Sequence, residues 1–514
     1  MFFEQYRVPR TAYPLTPTPS YPWSAGEVRV FPGPEHYVGD RLTVELVAYN
    51  LDELAQPLDV PLYLNDDLLS SEPFIARSPL RSDALVYRWV LNTNRLTPGQ
   101  YRLTAYLPDT PQGDQQKIRI YINLLPRDER PEQEVDAAWI QRNTPSCCLL
   151  NLITNTAADR DLGYLTNAAE DAVAHIEGVL GRPVEDRPVP ITIIDNVWGN
   201  GGYLLDEIVI TYIDRDYVAS DTPVLLRHEI AHWAMRSYAT DYTPALLSEG
   251  VAVYLAGGHY KPEDIPARAA ALAESGSDLP LVDLADTFWS VQHEAAYMEA
   301  AGFVTFLIET YGMDRFLDFY GASGSGSAPS AWLADALDST YGVSLQGTER
   351  AYRIWLSDQP VTDAVREDVR LSMALMDTVR RYQDLYAEYQ ESLPDSADAI
   401  EAGRTAEFIR EPHSIYNVTL ETMLLAAQHA LNTGDTARAA ALIDAVSATL
   451  SDSDFSRDLV ADYLDIAEAV ASRGMEAQEI TINGDTATIV AADPPPVLHT
   501  LTAAFDSGGW HLTN

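Results

Sequence analysis

Lysine is almost missing from this chain: only two of its 34 bases are lysines, Lys117 and Lys261. Seventy-six acids oppose those bases, for a net charge of -42. Nucleic acid and anionic membrane surfaces repel such a chain, so neither is expected as a partner. The bland consequence is a solvated acidic surface. Cysteine is as scarce, with Cys147 and Cys148 adjacent and no others. No disulfide framework can be built from them. Adjacent cysteines close only a strained ring, so two buried thiols opening a strand are expected. No apolar run is long enough to span a bilayer, and no leader pattern is visible. The expectation is a chain without membrane insertion of its own, its oligomeric state unread.

What is present points to several domains, because 514 residues exceed one compact core. Residues 1–24 are rich in proline and threonine ("PRTAYPLTPTPSYPW"), which suits an extended stalk. A stalk fits an extracellular or cell-envelope location with any anchor outside this chain. Residues 25–126 read as short strands. "RLTVELVAYN" alternates Leu42, Val44, Leu46 and Ala48, and "KIRIYIN" alternates Ile118, Ile120 and Ile122. The spacing predicts an all-β sandwich, and "LTPGQYRLTAYL" resembles immunoglobulin-like modules. "PRDERPEQE", 126–134, reads as a linker.

Residues 136–360 mix strands and helices. "CCLLNLI", "VPITIID" and "DEIVITY" are predicted strands. "TPVLLRHEIAHWAMRSY" and "TPALLSEGVAVYLAGG" are predicted helices, capped by Thr222 and Thr243 with Pro223 and Pro244 at the first helical position. Residues 361–475 are mainly helical and include one helical hairpin. Residues 476–514 return to strands as a small β element whose ending is similar to the closing hairpins of cystatin-like domains.

The chemistry is carried by "HEIAH", 228–232. Helix positions i and i+4 share a face, so His228 and His232 can aim two imidazoles at one point. Zinc accepts such nitrogens. Glu229 can take a proton from a water activated by the metal and later deliver it to a leaving amine. With ten histidines in the chain the pentapeptide arises by accident about once in a hundred such chains. "HEAAY", 293–297, is a near miss that lacks the second histidine. A third ligand is therefore needed, and Glu249 lies 17 residues after His232 in the next predicted helix.

H-E-x-x-H followed by "EGVAVY" resembles the gluzincin clan of zinc metallopeptidases, in particular its peptidase-MA-like group. The likeness covers roughly 136–320 and includes "AYMEAAGFVTFLIETYG". It implies an α+β zincin-like catalytic domain and a Zn2+ cofactor held by His228, His232 and Glu249. It implies Glu229 as general base, with a peptide or protein as substrate. It also implies an edge strand, placed at "EIVITY", that pairs with substrate backbone. Tyr297 is the expected oxyanion donor, with Tyr254 and His293 as runners-up. His259 reads as a surface or core residue. The tryptophan often found before the ligand glutamate is absent, and Val253 replaces an acidic residue that supports the histidines in some members. Asp241 or a backbone carbonyl is the expected support instead. The clan's glycine-rich amine-reading motif is not recognisable, which favours an endopeptidase or oligopeptidase over an aminopeptidase. The alternatives are a zinc-binding pseudopeptidase and a surface scaffold acting through the sandwich and helical regions. An intact Glu229 argues against both.

Overall fold

The computed structural model describes residues 27–31, 35–48, 60–70, 74–77, 85–106, 117–130, 137–194, 201–204, 206–218, 221–239, 242–322, 328–385, 415–452, 454–493 and 497–513. The expected stalk, most of the linker after Arg130, and Asp241 lie outside the described residues. The chain is a multidomain α+β protein with β-sheets first, a helical middle and a four-stranded antiparallel sheet at the end.

Nine strands come first: β1 (Glu27–Phe31), β2 (His36–Tyr37), β3 (Arg41–Ala48), β4 (Leu62–Leu64), β5 (Asp67–Ser70), β6 (Phe74–Arg77), β7 (Leu85–Asn92), β8 (Gly99–Tyr106) and β9 (Lys117–Leu125). They form two sheets, ordered β1-β3-β7-β6 and β2-β9-β8-β4-β5. Alternation decides what faces inward. Leu42, Val44 and Leu46 from one sheet and Leu62, Leu103, Ile122 and Leu124 from the other share one buried core.

The central region opens with β10 (Trp139–Asn143), β11 (Cys148–Ile153), the short helix α1 (Ala157–Arg160), α2 (Leu162–Leu180), β12 (Val189–Ile194), β13 (Gly202–Leu204) and β14 (Ile208–Thr211). Helix α2 stops at Gly181, which adopts the left-handed conformation that an L side chain resists. The sheet order is β10-β11-β12-β14-β13, parallel from β11 through β14 and antiparallel at both margins. Its strands are near-continuous apolar runs because both faces are covered, and β14 is buried at all four positions. Cys147 and Cys148 are joined as a disulfide, not held as the two thiols expected. Both are buried at the entry to β11.

Helices follow: α3 (Thr222–Met235), α4 (Ala245–Ala256), α5 (Ile265–Ser275), α6 (Leu281–Thr287), α7 (His293–Tyr311), α8 (Met313–Tyr320), α9 (Pro329–Tyr341) and α10 (Leu345–Ser357). Leu226 and Ile230 of α3, at most 1% exposed, anchor it in the core. Each such burial contributes about 1.5–3 kcal/mol.

The last part holds α11 (Asp363–Leu385), α12 (Ile415–Asn432), α13 (Thr436–Asp452), α14 (Asp458–Ala471) and strands β15 (Glu476–Asn483), β16 (Thr486–Asp493), β17 (Val497–Asp506) and β18 (Gly509–Leu512). The four strands pair antiparallel in sequence order as one meander. Their inward residues, Ile480, Ile489, Leu501 and Trp510, join a core built on α11 to α14. No described helix is long and apolar enough to cross a membrane.

Candidate metal centre

The cap of α3 is one residue earlier than the sequence suggested. Asp221, not Thr222, is the N-cap, its carboxylate accepting from the Val224 amide. Thr222 and Pro223 then occupy the first turn. Helix α4 likewise starts at Ala245 with Pro244 as the flanking residue and no side-chain cap. Neither change moves the histidines off their shared face.

Helix α3 delivers His228 and His232, and α4 delivers Glu249. His228 Nε2 lies 3.1 Å from His232 Nε2 and 3.3 Å from Glu249 Oε2. His232 Nε2 lies 3.4 Å from the same oxygen. For a four-coordinate ion with ligand distances of about 2.0–2.1 Å, tetrahedral geometry puts neighbouring ligand atoms about 3.3 Å apart. All three edges of this triangle match. Two imidazole nitrogens and one carboxylate oxygen form a group that can hold a metal ion, the one such group among the described residues.

The three groups are electrostatically coupled. Burial works to raise Glu249, but the imidazole of His232 and the hydrogen bonds from both histidines overcome it, so the carboxyl stays well below its usual range. Burial works to lower His232, and the Glu249 charge reverses that, holding it up at about 9. His228 is lowered by burial. Its Nδ1 is buried without a hydrogen-bond partner among the described residues, so no supporting carboxylate is seen on that side.

Glu249 is followed by a glycine for a steric reason. A Cβ at Gly250 would fall 2.6 Å from the carbonyl oxygen of Ala300. Only glycine lets α4 lie this close to α7. That approach brings Tyr297, one turn before Ala300, beside the ligands. Its ring centre is 6.2 Å from that of His228. Burial raises its phenol well above the ordinary range, and the nearby charge of Glu249 adds to the effect.

Glu229 is 3% exposed, and its Oε2 has no hydrogen-bond partner among the described residues. Burial raises its carboxyl. The nearest backbone is β13. A Cβ at Gly202 would fall 2.8 Å from the Val209 carbonyl oxygen and 3.0 Å from Glu229 Cγ. This corrects the edge-strand expectation: the strand at 207–212 is β14, which lies between β12 and β13. The edge is β13, whose three residues sit in a glycine-rich stretch that carries no strand signal.

The two runners-up separate. His293 touches Tyr297, with ring centres 4.5 Å apart. Tyr254 is half-buried, and the charge that acts on it is Glu309 rather than a ligand. The sequence reading missed His259, which is neither surface nor ordinary core. It is 9% exposed, and its ring stacks on Tyr297 at 4.0 Å and 5°. Its Nδ1 bonds the Glu294 carboxylate at 2.8 Å. The near miss "HEAAY" was the available signal. It places His293, Glu294 and Tyr297 on the turn of α7 that faces the metal group.

Residues 191–358 match the model of the Peptidase MA superfamily. No curated protein matches the chain. Among solved structures the chain is similar to native yeast LTA4 hydrolase, with a TM-score of 0.32 and 11% identity over 82% of this chain and 93% of that one. Residues 191–358, which hold His228, His232 and Glu249, are thus similar to a Peptidase MA superfamily domain.

Proposed function

We propose that the central region is a zinc-dependent peptidase that hydrolyses peptide bonds. The observation that carries this reading is the triangle of His228, His232 and Glu249, sized for tetrahedral zinc, with a buried carboxylate beside it. Zinc, when bound, supplies Lewis acidity that polarises a carbonyl and makes water a nucleophile near neutral pH.

The chain supplies the rest. Glu229 accepts the proton of the attacking water at Oε2 and passes it to the leaving amine. Tyr297 donates from its hydroxyl to the oxyanion that develops on the scissile carbonyl. The substrate backbone pairs with β13, the exposed margin of the sheet beside Glu229. Gly202 keeps that margin low enough for a peptide to reach the carboxylate.

The unrecognisable amine-reading motif favours an endopeptidase or oligopeptidase. The strand orders of the two N-terminal sheets support an immunoglobulin-like sandwich. The Pro/Thr-rich opening and the Cys147–Cys148 disulfide support an extracellular or cell-envelope location.

The test is Glu229→Gln. The amide cannot take the proton, so turnover of a mixed peptide library should fall more than about a hundredfold while bound metal and fold are retained. Cleavage at the wild-type rate would remove Glu229 from the mechanism.

A further inference from the structure

Tyr297 is held from behind, and the grip comes from the C-terminal region. Two histidines that bind no metal in this geometry lie against its ring. His259 stacks on it at 4.0 Å, and His293 lies at 4.5 Å. The chain reaches His259 through Gly257 and Gly258. Gly258 has φ +151°, and a Cβ there would fall 1.8 Å from the Lys261 carbonyl oxygen. A residue other than glycine would displace the histidine that follows.

Behind His259 runs a line of buried charges. Glu294, fully buried, accepts from His259 Nδ1 at 2.8 Å and from Arg268 Nη2 at 3.2 Å. Arg268, 3% exposed, also meets Glu263 at 3.1 Å. It then pairs with Asp368 of α11, which binds Lys261 as well. A second line starts further along α11, where Arg380 Nη2 lies 3.3 Å from His293 Nε2. A third fixes the start of α7. Gln292, its N-cap, donates to Asp377 at 3.2 Å and to the Met373 carbonyl at 3.4 Å, both on α11.

Burying so many charges is a poor way to gain stability, because desolvation consumes most of the Coulomb attraction. What a fully paired buried network does provide is a unique arrangement of the groups attached to it. All three lines end on the turn of α7 that carries Tyr297.

We infer that α11 is a positioning element of the active site: acting through Asp368, Arg268, Glu294 and His259, and through Arg380 and His293, it fixes the Tyr297 hydroxyl beside the metal group. This rests on the peptidase reading only for its catalytic consequence; the positioning itself does not. His259, Glu294, Asp368 and Arg380 are therefore positioning residues.

The test is a double-mutant cycle on the full chain. His259→Phe keeps a ring against Tyr297 but loses the bond to Glu294. Asp368→Asn and Arg380→Gln loosen the two lines from α11. Each should lower kcat by about tenfold to a hundredfold, since small misplacements of a catalytic group are costly. KM and bound metal should be little changed. In a Tyr297→Phe background the same substitutions should cost almost nothing further. Equal losses in both backgrounds would overturn the inference, because the residues would then act on the whole site and not through Tyr297. A second readout needs no turnover. With 13Cζ-labelled tyrosine, the resonance missing from Tyr297→Phe belongs to Tyr297. It should shift or broaden in His259→Phe and in Arg380→Gln. An unmoved resonance overturns the positioning, whereas a wild type that cleaves nothing but shows the shift overturns only the peptidase reading. Arg380 is part-buried, so this arm stands even where Asp368→Asn fails to fold.

Discussion

The N-terminal sandwich keeps its apolar core to itself: every residue of that core lies between Val30 and Leu124. The C-terminal core does not, for it takes in Val218 and Tyr260 from the central region. Charge repeats the contrast. Arg215, 6% exposed at its side chain, pairs with Glu421 of α12 and lies 3.6 Å from Glu476 of β15. Lys261 and Arg268 pair with Asp368, and Arg366 pairs with Glu274. In the sandwich, Asp40 finds its partner in Arg130, just past β9. Two regions that look equally separate along the sequence are therefore joined to the central one by different physics. One brings its own core and the other completes a shared one.

Truncation gives the largest expected effect. A chain lacking 361–514 exposes Val218 and Tyr260, takes Glu421 and Glu476 from Arg215, and takes Asp368 from Arg268. It should lose the cooperative fold of the central region and its bound metal, as read by circular dichroism and elemental analysis. A chain lacking 1–135 should keep both. Residues 25–126 alone should fold, with strand-type circular dichroism and a cooperative melt. A sandwich that stays unfolded alone, or a central region that survives without its C-terminal partner, would break the contrast.

Tyr297→Phe comes next, because Tyr297 is where the C-terminal grip meets the metal group. Loss of one oxyanion donor costs about a hundredfold to a thousandfold in kcat. KM and metal content should not change. A kcat change below about threefold would make Tyr297 a packing residue.

A smaller effect is expected at the shared boundary. Arg215→Ala takes the counter-charge from the part-buried Glu421 and leaves it only the Tyr382 hydroxyl, and breaking such a pair typically costs up to about 3–5 kcal/mol. The melting temperature of the central and C-terminal regions should fall together. Any separate sandwich transition should stay in place.

The smallest effect is a pH dependence at the same boundary. Burial pushes Asp216 up to about 7, with Asp221 and Glu479 of β15 adding repulsion against the bond from Thr222. A carboxyl raised on folding stabilises the fold fully below its unfolded value, near 3.8, and loses that contribution as pH rises through about 7. Asp216→Asn should flatten the stability profile between those limits. A profile as steep as wild type would assign the slope to other groups, such as Glu299, which burial pushes up to about 8.

The metal triangle was legible because its information is local. Two histidines four apart share a helix face in any helix, whereas Glu249 was reached through the resemblance carried by "EGVAVY". Sandwich alternation is local in the same sense. The rest depends on partners far apart in sequence. Arg268 and Asp368 are 100 residues apart, and His259 and Glu294 are 35 apart. No periodicity encodes such pairs. Strand β13 was hidden because three residues beside glycines carry too little pattern, so the edge was assigned to its more apolar neighbour β14. At Cys147 and Cys148 the strain argument for thiols lost to the geometry of the strand entry.

The most direct test of the peptidase reading is metal content. Purified wild-type chain and His228→Ala should be loaded with zinc, desalted and measured by elemental analysis beside protein concentration. The geometry of His228, His232 and Glu249 predicts one zinc per wild-type chain and essentially none in the variant. Equal zinc in the two proteins would contradict it.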